Sequence, residues 1–203
     1  MKSSLLKLYQ RRLLPMDELI KVADDPIWDN KKSQNIYSFP LLSDRDWLAV
    51  GKKIARGISA DQIYRVGNFL TAVSPQSHIG PYKHAIDFLV PDGTKILAAA
   101  DGKVVEFCEC HSVWGDDEKF RDKLNFITLE HANGEYSQCC HLAWRSVSDL
   151  GLQKGDKVLA GQQIGIVGKT GWTDREHLHF LVFRIDKLIG NPFPFYSVQI
   201  RFK

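Results

Sequence analysis

From about Tyr82 onward the chain alternates short apolar or alternating runs with polar breaks. The runs are AIDFLV, KILAAA, KVVEF, NFITLEH, EYSQCCHL, KVLA, QIGIVG and HLHFLVFRI, separated by Gly, Asp and Asn. This texture predicts an all-β region. Pro91-Asp92-Gly93, Asp101-Gly102 and Asn133-Gly134 supply residues that tolerate positive φ between strands, and Asn133-Gly134 is the strongest hairpin signal. PDGTKILAAADGKVV and QKGDKVLAGQQIGIVG echo each other as turn, β-branched run, small-residue step and second strand. The expected fold is mainly β, an antiparallel sheet with a barrel-sandwich-like, duplicated hybrid core.

The first 70 or so residues read differently. Residues 16–25 and 45–57 have helical spacing, and residues 59–70 follow an N-cap candidate at Ser59. The sequence thus divides into a helical or irregular extension over residues 1–70 and a β-rich domain over residues 71–203. Residues 109–123 are too polar for a core strand and too long for a tight turn, and a surface loop rimming a cleft is expected there.

Composition narrows the partners. Hydrophobic residues make up 44% of the 203, an ordinary globular share for one main domain. A formal charge of +3, with Lys and Arg interleaved with acids, is too mild for a nucleic-acid footprint. No stretch of eighteen apolar residues occurs, so no membrane-spanning helix is expected. Lys7, Arg11 and Arg12 interrupt any apolar core of a signal peptide, so the chain reads as cytoplasmic as written. Cys108, Cys110, Cys139 and Cys140 lack C-x-x-C spacing and read as buried, reduced thiols. Cys139 and Cys140, adjacent on a strand, point to opposite faces and are expected to pack rather than to bind one metal.

Seven histidines all lie beyond residue 77. His177 and His179 stand two apart in HLHFLVF, so a strand directs both imidazoles into one space, roughly 7 Å apart, with Leu178 on the opposite face. That geometry suits one imidazole on a metal and the other at a water or substrate oxygen. Asp87, between Ile86 and Phe88, is costly in a buried strand unless paired or metal-bound. His131, before the Asn133-Gly134 turn, reads as structural and His111 as solvated.

In their order, SHIGPYKHAIDFLVPDGTKILAAADGKVV, FITLEHANGEYSQCCHLA, LQKGDKVLAGQQIGIVGKTGWT and EHLHF make the chain resemble the lysostaphin or LytM-type zinc endopeptidases over roughly residues 77–185. The resemblance implies the duplicated hybrid fold, a zinc ion and hydrolysis of peptide bonds in peptidoglycan cross-links or stems, with the periplasm or cell envelope as the place of action. It places zinc on a His before the Asp, on Asp87 and on His179, and leaves His141 and His177 for catalysis. The commonest family spacing, H-x-x-x-D, finds Lys83 at the first position. Ser77-His78-Ile79-Gly80 matches the context of a subgroup with a longer loop and favours His78, with His84 as the alternative. Two other readings are compatible with the sequence. One is a degenerate member that only docks peptidoglycan or regulates another hydrolase. The other is a biotinyl or lipoyl carrier, which lacks here the Met-Lys turn it needs. The first 70 residues have no counterpart in the resemblance and are expected to be a lid, an inhibitory segment or a docking arm.

Overall fold

The computed structural model describes residues 23–185 and 194–203. After a short helix α1 (Trp47–Ile54) come the strands β1 (Ile63–Val66), β2 (Phe69–Ala72), β3 (Ile86–Phe88), β4 (Lys95–Leu97), β5 (Gly102–Cys108), β6 (Trp114–Gly115), β7 (Phe126–Glu130), β8 (Glu135–Cys140), β9 (Lys157–Val158), β10 (Gln163–Ile166), β11 (Gly171–Trp172), β12 (Leu178–Arg184) and β13 (Tyr196–Ser197). Nine of them form one sheet in the order β1-β2-β3-β12-β8-β7-β5-β9, with β13 also on β12. Every pairing in it is antiparallel.

The expected antiparallel β fold is therefore the observed one. β7 and β8 are joined through Asn133 and Gly134, whose φ angles of 59° and 69° suit the residues that best tolerate that region. The two echoing segments pair with each other crosswise, β4 with β10 and β5 with β9. Exchanging the two copies leaves that pairing pattern unchanged, as a duplication related by a local two-fold requires.

The core lies on β12 and its neighbours. Leu178 and Phe180 through Phe183 are fully buried, and Phe39, Phe69, Phe88 and Phe202 pack together, with Phe39 stacked on Phe202 at 4.5 Å. Each fully buried phenylalanine contributes about 1.5–3 kcal/mol relative to exposure.

The N-terminal portion departs from the sequence reading. Residues 45–57 do contain a helix, α1, capped by Asp46 accepting from Ala49 N. Residues 59–70, expected to continue as helix, make one 3-10 turn without a Ser59 side-chain cap and then the β1–β2 hairpin. Ile63, Tyr64 and Val66 have β propensity, and Gly67 turns the chain at φ +58 with its Cα against Phe39. Pairing with β3 overrides the helical spacing. The division expected near residue 70 falls inside β2, so this hairpin belongs to the sheet. Residues 16–22 of the other expected helix lie outside the described residues.

A buried carboxylate ties the N-terminal segment down. Glu135, on β8, accepts from Ser33 Oγ (2.8 Å), Gln34 N (2.7 Å), Asn35 Nδ2 (2.9 Å) and Tyr37 Oη (3.1 Å). The four cysteines are free, as expected, but only Cys139 and Cys140 are buried. Cys110 is exposed because the chain leaves the sheet at the end of β5, and Cys108, the last residue of β5, is half-exposed because a bulge at Val105 turns it to the open face. No described helix is long and apolar enough to cross a membrane.

Candidate active site

One row of the sheet carries the chemistry. Asp87 on β3 faces His179 on β12, and His179 faces Cys140 on β8. Directly paired residues share a face, so Asp87 and His179 project together into a cleft of about 670 Å³. His78 enters from the turn that precedes β3, where its backbone N donates to Ser74 O.

The three side chains meet at one point. His179 Nδ1 lies 2.8 Å from Asp87 Oδ1, His78 Nε2 3.2 Å from the same oxygen, and the two ring nitrogens 3.4 Å apart. Burial pushes the Asp87 carboxyl up, but the imidazoles of His78 and His177 and the hydrogen bonds from His179 and His78 hold it well below the usual carboxylate range. Burial pushes His179 down, toward its neutral form, against the pull of Asp87. Lone pairs on neutral nitrogens repel a carboxylate at these distances unless a proton or a cation lies among them.

Two more imidazoles flank this point. The rings of His141 and His177 are 4.6 Å apart, and those of His141 and His179 6.1 Å apart. His141 sits just past β8 at φ +62, in the left-handed region that an L side chain rarely occupies, and Thr170 O accepts from its Nδ1 at 2.8 Å. Arg175 O accepts from His177 Nδ1 at 3.1 Å, and His177 Nε2 lies 3.7 Å from Asp87 Oδ1. In both, Nδ1 is committed to the backbone and Nε2 is left for the cleft. Burial, reinforced by the neighbouring His177 and His179, lowers the His141 pKa to about 3.

The structure thus brings together His78, Asp87, His141, His177 and His179. It does not bring His84 to them: His84 Nε2 is bonded to Trp28 O at 2.9 Å and its backbone N to Ser197 Oγ. His131 is held by Asp101 O and Ser137 Oγ, away from the cleft. The loop at residues 109–123 lines the cleft through His111, Asp116 and Arg121. The residues that orient the imidazoles, Thr170 and Arg175, escaped the sequence reading, as did Asn125, which holds the backbone of His111 and the hydroxyl of Thr170. Thr170 and Arg175 act through main-chain carbonyls, which no sequence displays. Asn125 offered one signal, an amide opening an apolar strand run.

Two imidazoles and a carboxylate converging on a sheet floor, with two further imidazoles in ring contact, define a class: a mainly antiparallel β protein with the cleft of a metallohydrolase. The chain belongs to peptidase family M23, whose profile matches residues 81–191. It is 33% identical over 94 residues to the peptidoglycan DD-endopeptidase ShyA of Vibrio cholerae, a match covering 46% of this chain and 18% of that protein. It is 30% identical over 117 residues to the glycyl-glycine endopeptidase ALE-1 of Staphylococcus capitis, covering 58% of this chain and 27% of the relative. An uncharacterized metalloprotease of Buchnera aphidicola is 29% identical over 170 residues, covering 78% of this chain and 39% of its own length. The chain therefore aligns with well under half the length of each of these relatives. His78 and the β1–β2 hairpin precede the span that the family profile matches.

Proposed function

We propose that this chain is a zinc-dependent endopeptidase that hydrolyses peptide bonds of peptidoglycan, in cross-links or stem peptides, and so acts in the cell envelope. The observation that carries the reading is the ligand triangle of His78 Nε2, Asp87 Oδ1 and His179 Nδ1. A tetrahedral zinc with ligands at roughly 2.0–2.1 Å separates neighbouring donors by about 3.3–3.4 Å. The observed separations of 3.4, 3.2 and 2.8 Å need adjustments of about half an ångström or less. Two imidazoles and one carboxylate are a known catalytic donor set that leaves a position open. We assign His78, not His84, as the first ligand, because His84 is bonded elsewhere.

Bound there, zinc supplies Lewis-acid polarisation and lowers the pKa of water toward ~7. The protein's own groups handle the proton. His141, neutral because of its burial, accepts at Nε2 and orients the attacking water. We assign the carrying of the proton to His177, whose Nε2 lies 3.7 Å from Asp87 Oδ1. His177 then delivers the proton to the leaving amine, with Arg175 O fixing its ring. The cleft, open and continuous along the sheet, suits an extended peptide. The endopeptidase names of the relatives ShyA and ALE-1 support a cell-wall peptide as the substrate. A docking-only role leaves the paired imidazoles without a task.

The test is zinc content and hydrolysis measured together. H78A, D87A and H179A are expected to lose zinc, whereas H141A and H177A retain it and lose turnover by about 10²–10⁴-fold. Full zinc in H78A, or full turnover in H177A, overturns the assignment.

A further inference from the structure

We propose that Cys108, Cys110 and His111 form a second metal site, for a thiophilic divalent cation such as zinc, in the wall of the same cleft. Cys108 Sγ and Cys110 Sγ are 3.7 Å apart, and Cys110 Sγ is 3.6 Å from His111 Nε2. All three donor atoms lie within 4.8 Å of one another. Tetrahedral zinc, with sulfur at about 2.3 Å and nitrogen at roughly 2.0–2.1 Å, sets its S–S edge near 3.8 Å and its S–N edges near 3.6 Å. Two of the three edges are already at those lengths. A disulfide needs the sulfurs at about 2.05 Å, much further from what the backbone here provides.

The sheet delivers Cys108 to this face by a specific irregularity. β5 pairs with β7 through Val104 and Leu129, then slips one residue so that Glu106 meets Thr128 and Cys108 meets Phe126. Without the extra residue at Val105 the thiol of Cys108 points to the other face. With it, Cys108, Phe126, Cys140, His179 and Asp87 form one lateral row, and both Cys108 and His111 line the cleft.

The ligand loop is held by its neighbours. Asn125, fully buried, accepts from His111 N (3.1 Å) through Oδ1 and donates to His111 O (2.8 Å) through Nδ2. The Glu109 carboxylate accepts from Val147 N and Ser148 N. Cys110 remains exposed and open to a cation from solvent. Binding releases two thiol protons to water as the dication takes up two thiolates and one neutral imidazole, with a fourth position for water.

Three strand spacings separate Cys108 from His179, roughly 14 Å. That is far beyond the roughly 3.5–4 Å of paired catalytic metals, so the second ion organises the cleft wall and takes no part in bond cleavage. A hydrogen-bonded path connects it to the active site: His111 to Asn125, Asn125 N to Thr170 Oγ1 (3.1 Å), and Thr170 O to His141 Nδ1.

The experiment is a cobalt(II) titration of the reduced chain, read by near-ultraviolet absorbance. Thiolate-to-cobalt charge transfer reports a sulfur-bound ion, which the ligands His78, Asp87 and His179 do not provide, and its loss in C108S and C110S separates this site from the other free thiols, Cys139 and Cys140. The band is expected in the unmodified chain and in H179A, and is expected to vanish in C108S and C110S and to weaken in H111A. Absence of the band from the reduced chain overturns the proposal, as does its persistence in C108S and C110S. Neither result bears on the catalytic zinc, since H179A tests that site separately.

Discussion

Replacing Thr170 by Val tests whether the active site depends on a residue that touches neither metal nor substrate. The Thr170 hydroxyl donates to Leu142 O at 2.8 Å and accepts from Asn125 N at 3.1 Å, both in the interior. Valine keeps the volume and removes both bonds. Leu142 O retains a longer bond from Asn125 Nδ2 at 3.3 Å, but Asn125 N–H is left buried and unpaired. An orphaned donor costs about 1–3 kcal/mol and the lost Leu142 bond about 0.5–1.5 kcal/mol, so T170V should lose about 2–4 kcal/mol of stability. The same strand end holds His141 through the Thr170 carbonyl, and a displacement on the order of 1 Å there can cost about 10²-fold in turnover. Urea unfolding of the zinc-loaded chain, zinc content and peptide hydrolysis read the three quantities. The expected pattern is lower stability and lower turnover with zinc retained. Unchanged turnover alongside the lost stability refutes the positioning role, and loss of zinc shows that Thr170 supports the ligands instead.

Other outcomes follow from the same structure. H84A should keep zinc and activity, losing only the single bond to Trp28 O, about 1 kcal/mol in thermal or urea unfolding; a metal-free H84A contradicts the ligand assignment. E135A should lose about 3–5 kcal/mol, since it strips the acceptor from four donors and frees residues 33–37 from β8, whereas a small change in urea unfolding means that water replaces the carboxylate. His131 gives a pH prediction remote from the metal site: burial holds its folded pKa below the ordinary ~6.5, so the unfolded chain takes up the proton first. Its contribution is complete above about pH 6.5 and is lost as pH falls, by at most about 1.4 kcal/mol per unit, and H131Q should flatten that slope in urea unfolding measured from pH 7.5 to 5.5.

Much of the fold was legible because strand patterning is local. Runs such as NFITLEH and HLHFLVFRI declare their period, and Asn133-Gly134 declares its turn. The β1–β2 hairpin was not legible, because residues 59–70 carry a helical spacing that only pairing with β3 overrules. In the site, His177 and His179 announced themselves by alternation, and Asp87 by being a charge in an apolar run. Choosing between His78 and His84 required the path of the loop: the turn at residues 74–78 carries His78 to the sheet floor while His84 turns toward Trp28. Cys108 was expected to be buried, and the bulge at Val105, invisible in the pattern, turns it into the cleft.

Hydrolysis of a cell-wall peptide bond by this chain should depend on zinc held by His78, Asp87 and His179. Purified peptidoglycan should be incubated with the zinc-loaded chain, with the chelated chain and with H179A, and the soluble fragments analysed by mass spectrometry. New amino and carboxyl termini are expected within the peptides, abolished by chelation, restored by added zinc and absent with H179A. Fragments cut only in the glycan strands, or peptide cleavage that survives both chelation and H179A, contradict that expectation.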